Sequence, residues 1–130
     1  MLTYYHMVVD EVERQAMDGV FHALADATRR DIVLRTLQAE YSVSALSRLY
    51  PMTFAAVQKH VAVLERAQLV TKRRHGREQL VAGNVEAIRR AARLLDQLEV
   101  VWRARIDRFG AILAEDDAED PNPEDPHERD

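Results

Sequence analysis

The feature that most constrains this chain is an apolar stripe near its C-terminal end. Ile88, Ala91, Leu95, Leu98, Trp102, Ile106, Phe109 and Leu113 follow one another at intervals of 3, 4, 3, 4, 4, 3 and 4 residues, close to the spacing of a coiled-coil seam. The spacing predicts a helix from Val85 to about Ala114, with Asn84 as its cap and Glu86 in the first turn, where the helix dipole favours an acid. At about 3.6 residues per turn that is roughly eight turns, more apolar length than a domain in a chain of 130 residues covers alone. A partner helix is implied, most simply from a second copy of the chain. Leu95, Leu98, Trp102, Ile106 and Phe109, together with Val20 from an earlier helix, form the expected dimer interface.

A chain of this length has room for one core. It holds only four glycines and four prolines, too few for a turn-rich sandwich or barrel, so the expected fold is mainly α with a small β-hairpin. It contains no cysteine, which removes disulfides, zinc ribbons, thiolate metal sensing and cysteine nucleophiles together and fits a reducing cytoplasm. No apolar run approaches the roughly 20 residues of a membrane span. Met1 to Asp10 lacks the basic start and apolar stretch of a signal peptide. The expected location is cytoplasmic, with no membrane partner.

The net charge of −4 conceals two regions of opposite sign. Residues 114–130 carry nine acids and one base, a sum of −8, whereas residues 1–113 carry 17 bases and 13 acids, a net of +4. The acidic segment also holds Pro121, Pro123 and Pro126 and is expected to be disordered. The chain therefore divides into an N-terminal extension (1–11), a folded domain (12–114) and an acidic tail (115–130).

Within that domain Val12, Ala16, Val20, Ala23 and Leu24 keep a helical period. Asp26 can cap a second helix that reaches about Gln38 through Ile32, Val33 and Leu37. Ser42 or Ser44 can start a short third helix through Ala45, Leu46 and Leu49, which Pro51 stops. Thr53 caps a fourth, running to about Ala67 with Val57, Val61 and Leu64 on one face. Leu69 to Arg73 is β-prone, His75-Gly76-Arg77 is a turn, and Gln79 to Val81 is a second short strand. Helix, helix, helix-turn-helix, hairpin and long helix make a winged helix-turn-helix that dimerises through its N-terminal and long C-terminal helices.

Two stretches resemble a known family. Phe21-His22-Ala23-Leu24-Ala25-Asp26-Ala27-Thr28-Arg29-Arg30-Asp31-Ile32-Val33 is similar to the first motif of the ArsR family of bacterial transcriptional repressors. Ala56 to Ala67 resembles that family's recognition helix, and Leu69-Val70 with Arg73 to Glu78 its following strand and wing. The likeness covers about 90 residues, through the long helix at Trp102. It implies a homodimeric, sequence-specific repressor on a palindromic operator in double-stranded DNA, relieved by an unknown signal. Gln58 stands where the family usually has serine, Ala55 where this subgroup often has proline, and Gln68 where glycine usually ends the helix. The cysteine segment of the metal sensors has no counterpart in Val43 to Leu49.

A recognition helix presents its N-terminal residues to base edges in the major groove. Ala55, Gln58, Lys59, Ala62 and Arg66 lie opposite the apolar face of the fourth helix. Gln58 can contact adenine in bidentate fashion, and Lys59 can donate to guanine or a phosphate. Thr53 and Phe54 sit at the helix start, where backbone N–H groups favour a phosphate, and Phe54 or Ala55 can touch a thymine methyl. In the wing, Lys72, Arg73, Arg74, His75 and Arg77 fall within six residues, a density suited to phosphates and a narrow minor groove. The expected DNA-contacting set is Thr53, Phe54, Ala55, Gln58, Lys59, Arg73, Arg74, His75 and Arg77. Arg29 and Arg30 can reach DNA or pair with Asp26 or Asp31, and a structural hydrogen bond is favoured for His60.

Other functions find little footing. The long helix offers Asp96, Glu99 and Asp107 but no histidine, so no metal site is expected, and a metal-responsive repressor is one alternative. No glycine-rich phosphate loop or clustered acid–base set is present, so neither enzyme activity nor a cofactor is expected. A winged-helix module whose basic surface binds an acidic protein is the other alternative, although it has no need for both a basic wing and a polar helix face.

Overall fold

A computed structural model describes the backbone of residues 2–119 and the side chains of residues 10–117. The elements are α1 (Leu2–Leu24), α2 (Ala27–Gln38), β1 (Tyr41–Ser42), α3 (Val43–Ser47), α4 (Phe54–Arg66), β2 (Val70–His75), β3 (Glu78–Gly83) and α5 (Val85–Glu119). They fall into two compact units, one ending at Ala92 and one beginning at Arg93.

The first unit holds a single core. Val20 and Ala23 of α1 join Ile32 and Val33 of α2, Val43 and Leu46 of α3, and Val57, Val61 and Leu64 of α4. Leu69, Val70, Val81, Ala87 and Ala91 complete it. Val20 is 2% exposed in the single chain, so its expected place in a dimer interface is corrected: periodicity identifies an apolar face but not what covers it.

Side-chain caps set the helix starts. Asp26 accepts from the Arg29 amide at 3.0 Å, Ser42 from Ala45 at 3.0 Å, Thr53 from Ala56 at 3.1 Å and Asn84 from Glu86 at 3.2 Å. Each supplies an acceptor to an N–H that has no partner within its own helix. The bond to the Arg29 amide is the main reason the Asp26 carboxyl is held below its ordinary range. Ser42, not Ser44, caps α3, and this helix stops at Ser47, short of Leu49.

Three boundaries differ from the sequence reading. Residues 2–11 continue α1: Leu2, Tyr5, Val9, Val12 and Ala16 keep a helical period with no breaker among them. Helix α5 passes Ala114 and reaches Glu119, since no proline intervenes before Pro121; the rest of the acidic tail, 120–130, lies outside the described residues. The hairpin is part of a three-stranded antiparallel sheet ordered β1-β3-β2, in which Tyr41 pairs with Val81 and Ser42 with Leu80.

At the wing tip His75 pairs with Glu78, leaving Gly76 and Arg77 as a two-residue loop. Gly76 has φ +65°, the left-handed geometry that such a loop requires of its first residue. Gly83 has a different reason: a Cβ there would lie 2.8 Å from the Leu37 backbone nitrogen and side chain, so only glycine lets β3 end this close to α2.

Helix α4 ends in a Schellman motif. The Gln68 amide donates to the Glu65 carbonyl and the Leu69 amide to the Leu64 carbonyl, both at 2.9 Å. Gln68 itself adopts φ +62°, the position where glycine is the ordinary choice. Asn84 Nδ2 donates to the Gln68 carbonyl at 2.9 Å, and the Asn84 amide to Leu69 O at 2.9 Å. One asparagine thus joins the end of α4 to the start of α5.

In the second unit all described side chains except Leu94 are exposed. Leu95, Leu98, Trp102, Ile106, Phe109 and Leu113 are between 49% and 62% exposed.

Candidate nucleic-acid interface

The α4 face opposite Val57, Val61 and Leu64 carries the residues expected to read DNA. Thr53, Phe54, Ala55, Gln58 and Lys59 are all exposed. The Thr53 hydroxyl oxygen is engaged as the cap. Phe54 leaves 45% of its surface in solvent. Gln58 and Lys59 have no side-chain hydrogen bond or ion pair with another described residue.

Polar contacts tie the turn that leads into α4 to α2. Tyr50, in the turn between α3 and α4, donates its hydroxyl to Asp31 of α2 at 2.6 Å. Arg35 Nε donates to the same Asp31 oxygen at 2.8 Å, and its guanidinium lies 6.0 Å from the Tyr50 ring centre. The hydrogen bond from Tyr50, then that from Arg35, hold the Asp31 carboxyl below its usual range. Burial first, and then the hydrogen bond to Asp31, push the Tyr50 phenol up to about 12.

The two arginines that open α2 fold back onto the end of α1. Arg29 donates through Nε to the Ala23 carbonyl at 2.8 Å and through Nη2 to His22 O at 3.2 Å. Arg30 donates to Leu24 O at 2.9 Å. These are end carbonyls of α1, which lack helical partners, so the arginine pair closes the α1–α2 corner. Arg29 Nη1 also lies 3.3 Å from His60 Nδ1, which ties α4 to that corner and gives His60 the structural hydrogen bond expected of it. Neither the α1 carbonyls nor the reach of the arginines is visible in the local sequence.

The wing residues divide. Arg74, His75 and Arg77 are exposed, and Arg74 Nε has only a long bond, 3.4 Å, to Gly76 O. Lys72 is half-buried and 3.3 Å from Glu65 at the end of α4. Arg73 is held by Glu40, with Nε and Nη2 each 2.9 Å from a carboxylate oxygen. That bond is the main reason the Glu40 carboxyl lies below its ordinary range and the Arg73 guanidinium above its own. Glu40 was no part of the sequence-based site, and 33 residues separate it from Arg73. Among the described residues no three His, Asp or Glu side chains are grouped to hold a metal ion, and no helix is long and apolar enough to cross a membrane.

The geometry matches solved structures along most of the chain. An ArsR-like transcriptional regulator from Rhodococcus sp. RHA1 superposes with a TM-score of 0.69 at 28% identity, covering 77% of this chain and 94% of the other. The fold is that of the ArsR-type winged helix-turn-helix regulators. A homodimeric winged helix-turn-helix DNA-binding domain of Mb0332 from Mycobacterium bovis, described as a possible ArsR-family regulator, matches this chain with a TM-score of 0.55 at 26% identity. That match covers 72% of this chain and 83% of the other. In sequence, the HTH-type transcriptional regulator Rv2034 of Mycobacterium tuberculosis is 42% identical over 59 residues, 45% of this chain. The chain spans about half the length of that curated relative, 55%. No family model matches the chain. The relatives are described as regulators and not as enzymes.

Proposed function

We propose that this chain is a sequence-specific DNA-binding transcriptional regulator of the ArsR type, acting as a homodimeric repressor on a roughly palindromic operator. The observation that carries the reading is the pairing of two surfaces: an open polar face on α4, at Gln58 and Lys59, and an open basic wing tip, at Arg74, His75 and Arg77. Gln58 and Lys59 read base edges in the major groove, and Phe54 and Ala55 at the helix start make apolar contact with thymine methyls. Thr53 and the first amides of α4 meet a phosphate. The wing supplies charge along the backbone or in the minor groove.

The homodimer is supported by the exposed stripe on α5. Six large apolar side chains from Leu95 to Leu113, each about half exposed or more, form the kind of patch that soluble monomers seldom leave open. A second copy of α5 would cover it and set two recognition helices on successive major grooves. Repression then follows from occupying the promoter, and the relieving signal acts on the dimer.

A mobility-shift titration against the chain's own promoter and against random DNA at moderate salt tests the reading. The promoter fragment is expected to bind at least about a thousandfold more tightly. Equal affinity for the two DNAs contradicts it.

A further inference from the structure

We propose that Arg73 is a positioning residue of the DNA-binding face and not one of its phosphate contacts: through Glu40 it straps the wing across β3 to the start of the helix-turn-helix. The inference rests on the DNA-binding reading given above. The strand register carries it. Arg73 of β2 lies opposite Leu80 of β3, and Leu80 lies opposite Ser42 of β1, so these three residues share one face of the sheet. Glu40 stands two residues before Ser42 and so returns to the same face. With neighbouring strands about 4.8 Å apart, the Arg73 side chain spans the full width of the middle strand to meet Glu40. Its fork then closes on both carboxylate oxygens at 2.9 Å.

Two parallel bonds fix the direction of the guanidinium as well as its distance. Ser42 is the cap of α3, so the strap ends beside the residue that opens the helix-turn-helix. A phosphate could take the Nε–Nη2 edge of Arg73 only by displacing Glu40, which would leave an unpaired carboxylate on a surface meant to face DNA. Arg74 and Arg77 carry no such carboxylate partner among the described residues, and phosphate binding falls to them. An exposed ion pair adds little to global stability. The effect is therefore sought in the placement of the wing.

The test measures promoter affinity against salt for the full chain and for Glu40→Gln, Arg73→Gln, Arg74→Gln and the Glu40→Gln/Arg73→Gln double variant. Arg74→Gln should lower the slope of log K against log salt by about 0.9, as the loss of one phosphate contact does. Arg73→Gln should leave the slope at its wild-type value. Glu40→Gln should weaken binding about threefold, although it removes a negative charge, and the double variant should bind no worse than either single one. Tighter binding by Glu40→Gln, or a slope lowered by about 0.9 in Arg73→Gln, overturns the proposal and makes Glu40 a competitor of phosphate. Amide hydrogen exchange of Val70–His75 in the free protein gives a second readout. Faster exchange in Glu40→Gln supports the strap, and unchanged exchange overturns it. If wild type shows no affinity for DNA, the functional reading fails, and the exchange measurement still decides the strap.

Discussion

Replacing Gln68 by glycine is expected to stabilise the protein. Gln68 closes the Schellman motif at the joint between recognition helix and wing, with φ +62°. A residue with a Cβ costs about 1–2 kcal/mol in that left-handed region. Glycine removes the cost but adds about 0.5–1 kcal/mol of backbone freedom to the unfolded chain. The difference predicts a gain of about 0.5–1 kcal/mol for Gln68→Gly. The bond from Asn84 to the Gln68 carbonyl is a backbone contact, so it survives the change. Gln68→Ala keeps the Cβ and should stay near wild type, Gln68→Asn should fall between alanine and glycine, and a β-branched Gln68→Val should be destabilised. Urea unfolding at one fixed protein concentration checks the order, since the proposed dimerisation would make stability concentration-dependent. A glycine variant no more stable than the alanine variant would refute the left-handed helix end.

Tyr50→Phe removes the hydroxyl donor to Asp31 and should cost about 1 kcal/mol near neutral pH. Because the folded Asp31 carboxyl lies below its unfolded value, near 3.9, its contribution is complete above that value and is lost as pH falls through the folded one. Tyr50→Phe should therefore flatten the acid limb of a stability–pH profile measured by urea unfolding; an unchanged limb counts against the network. Arg29→Ala opens the α1–α2 corner and should cost about 2 kcal/mol while leaving the salt slope of DNA binding unchanged, whereas a lower slope would mean that Arg29 meets phosphate. Trp102→Ala removes a side chain 55% exposed in the single chain. For a tryptophan of about 250 Å² that is roughly 140 Å², or about 3 kcal/mol per protomer at about 25 cal/mol per Å² if a partner covers it fully. Sedimentation should show at least a hundredfold rise in the dimer dissociation constant, and an unchanged constant would place the interface elsewhere.

What the sequence revealed and what it hid follow from the range of the forces involved. Asp26, Thr53 and Asn84 were legible as caps because a cap acts on amides two or three residues away. Val57, Val61 and Leu64 were legible as the buried face of α4 because the helical period alone decides it, and Gly76 because a tight loop needs a positive φ. Strand β1 was not legible, since two residues carry no pattern and it forms only by pairing with β3. The destination of Val20 was hidden for a related reason, as an apolar face can meet its own core or a partner. Arg29 and Arg73 have long side chains whose acceptors lie outside their own elements, so their sequence neighbours say nothing of Ala23 O or Glu40. The departure at Gln68 was visible, but its consequence, a non-glycine residue at φ +62°, needed the structure.

The central claim is that the open face of α4 reads bases while the wing tip holds the backbone. The most direct test is the ratio of promoter affinity to random-DNA affinity for wild type, Lys59→Ala and Arg74→Ala, measured by fluorescence anisotropy at one moderate salt concentration. Lys59→Ala should lose about 1–3 kcal/mol on the promoter with little change on random DNA, so its ratio falls. Arg74→Ala should weaken binding to both and keep the ratio. A Lys59→Ala variant that keeps the wild-type ratio contradicts the account.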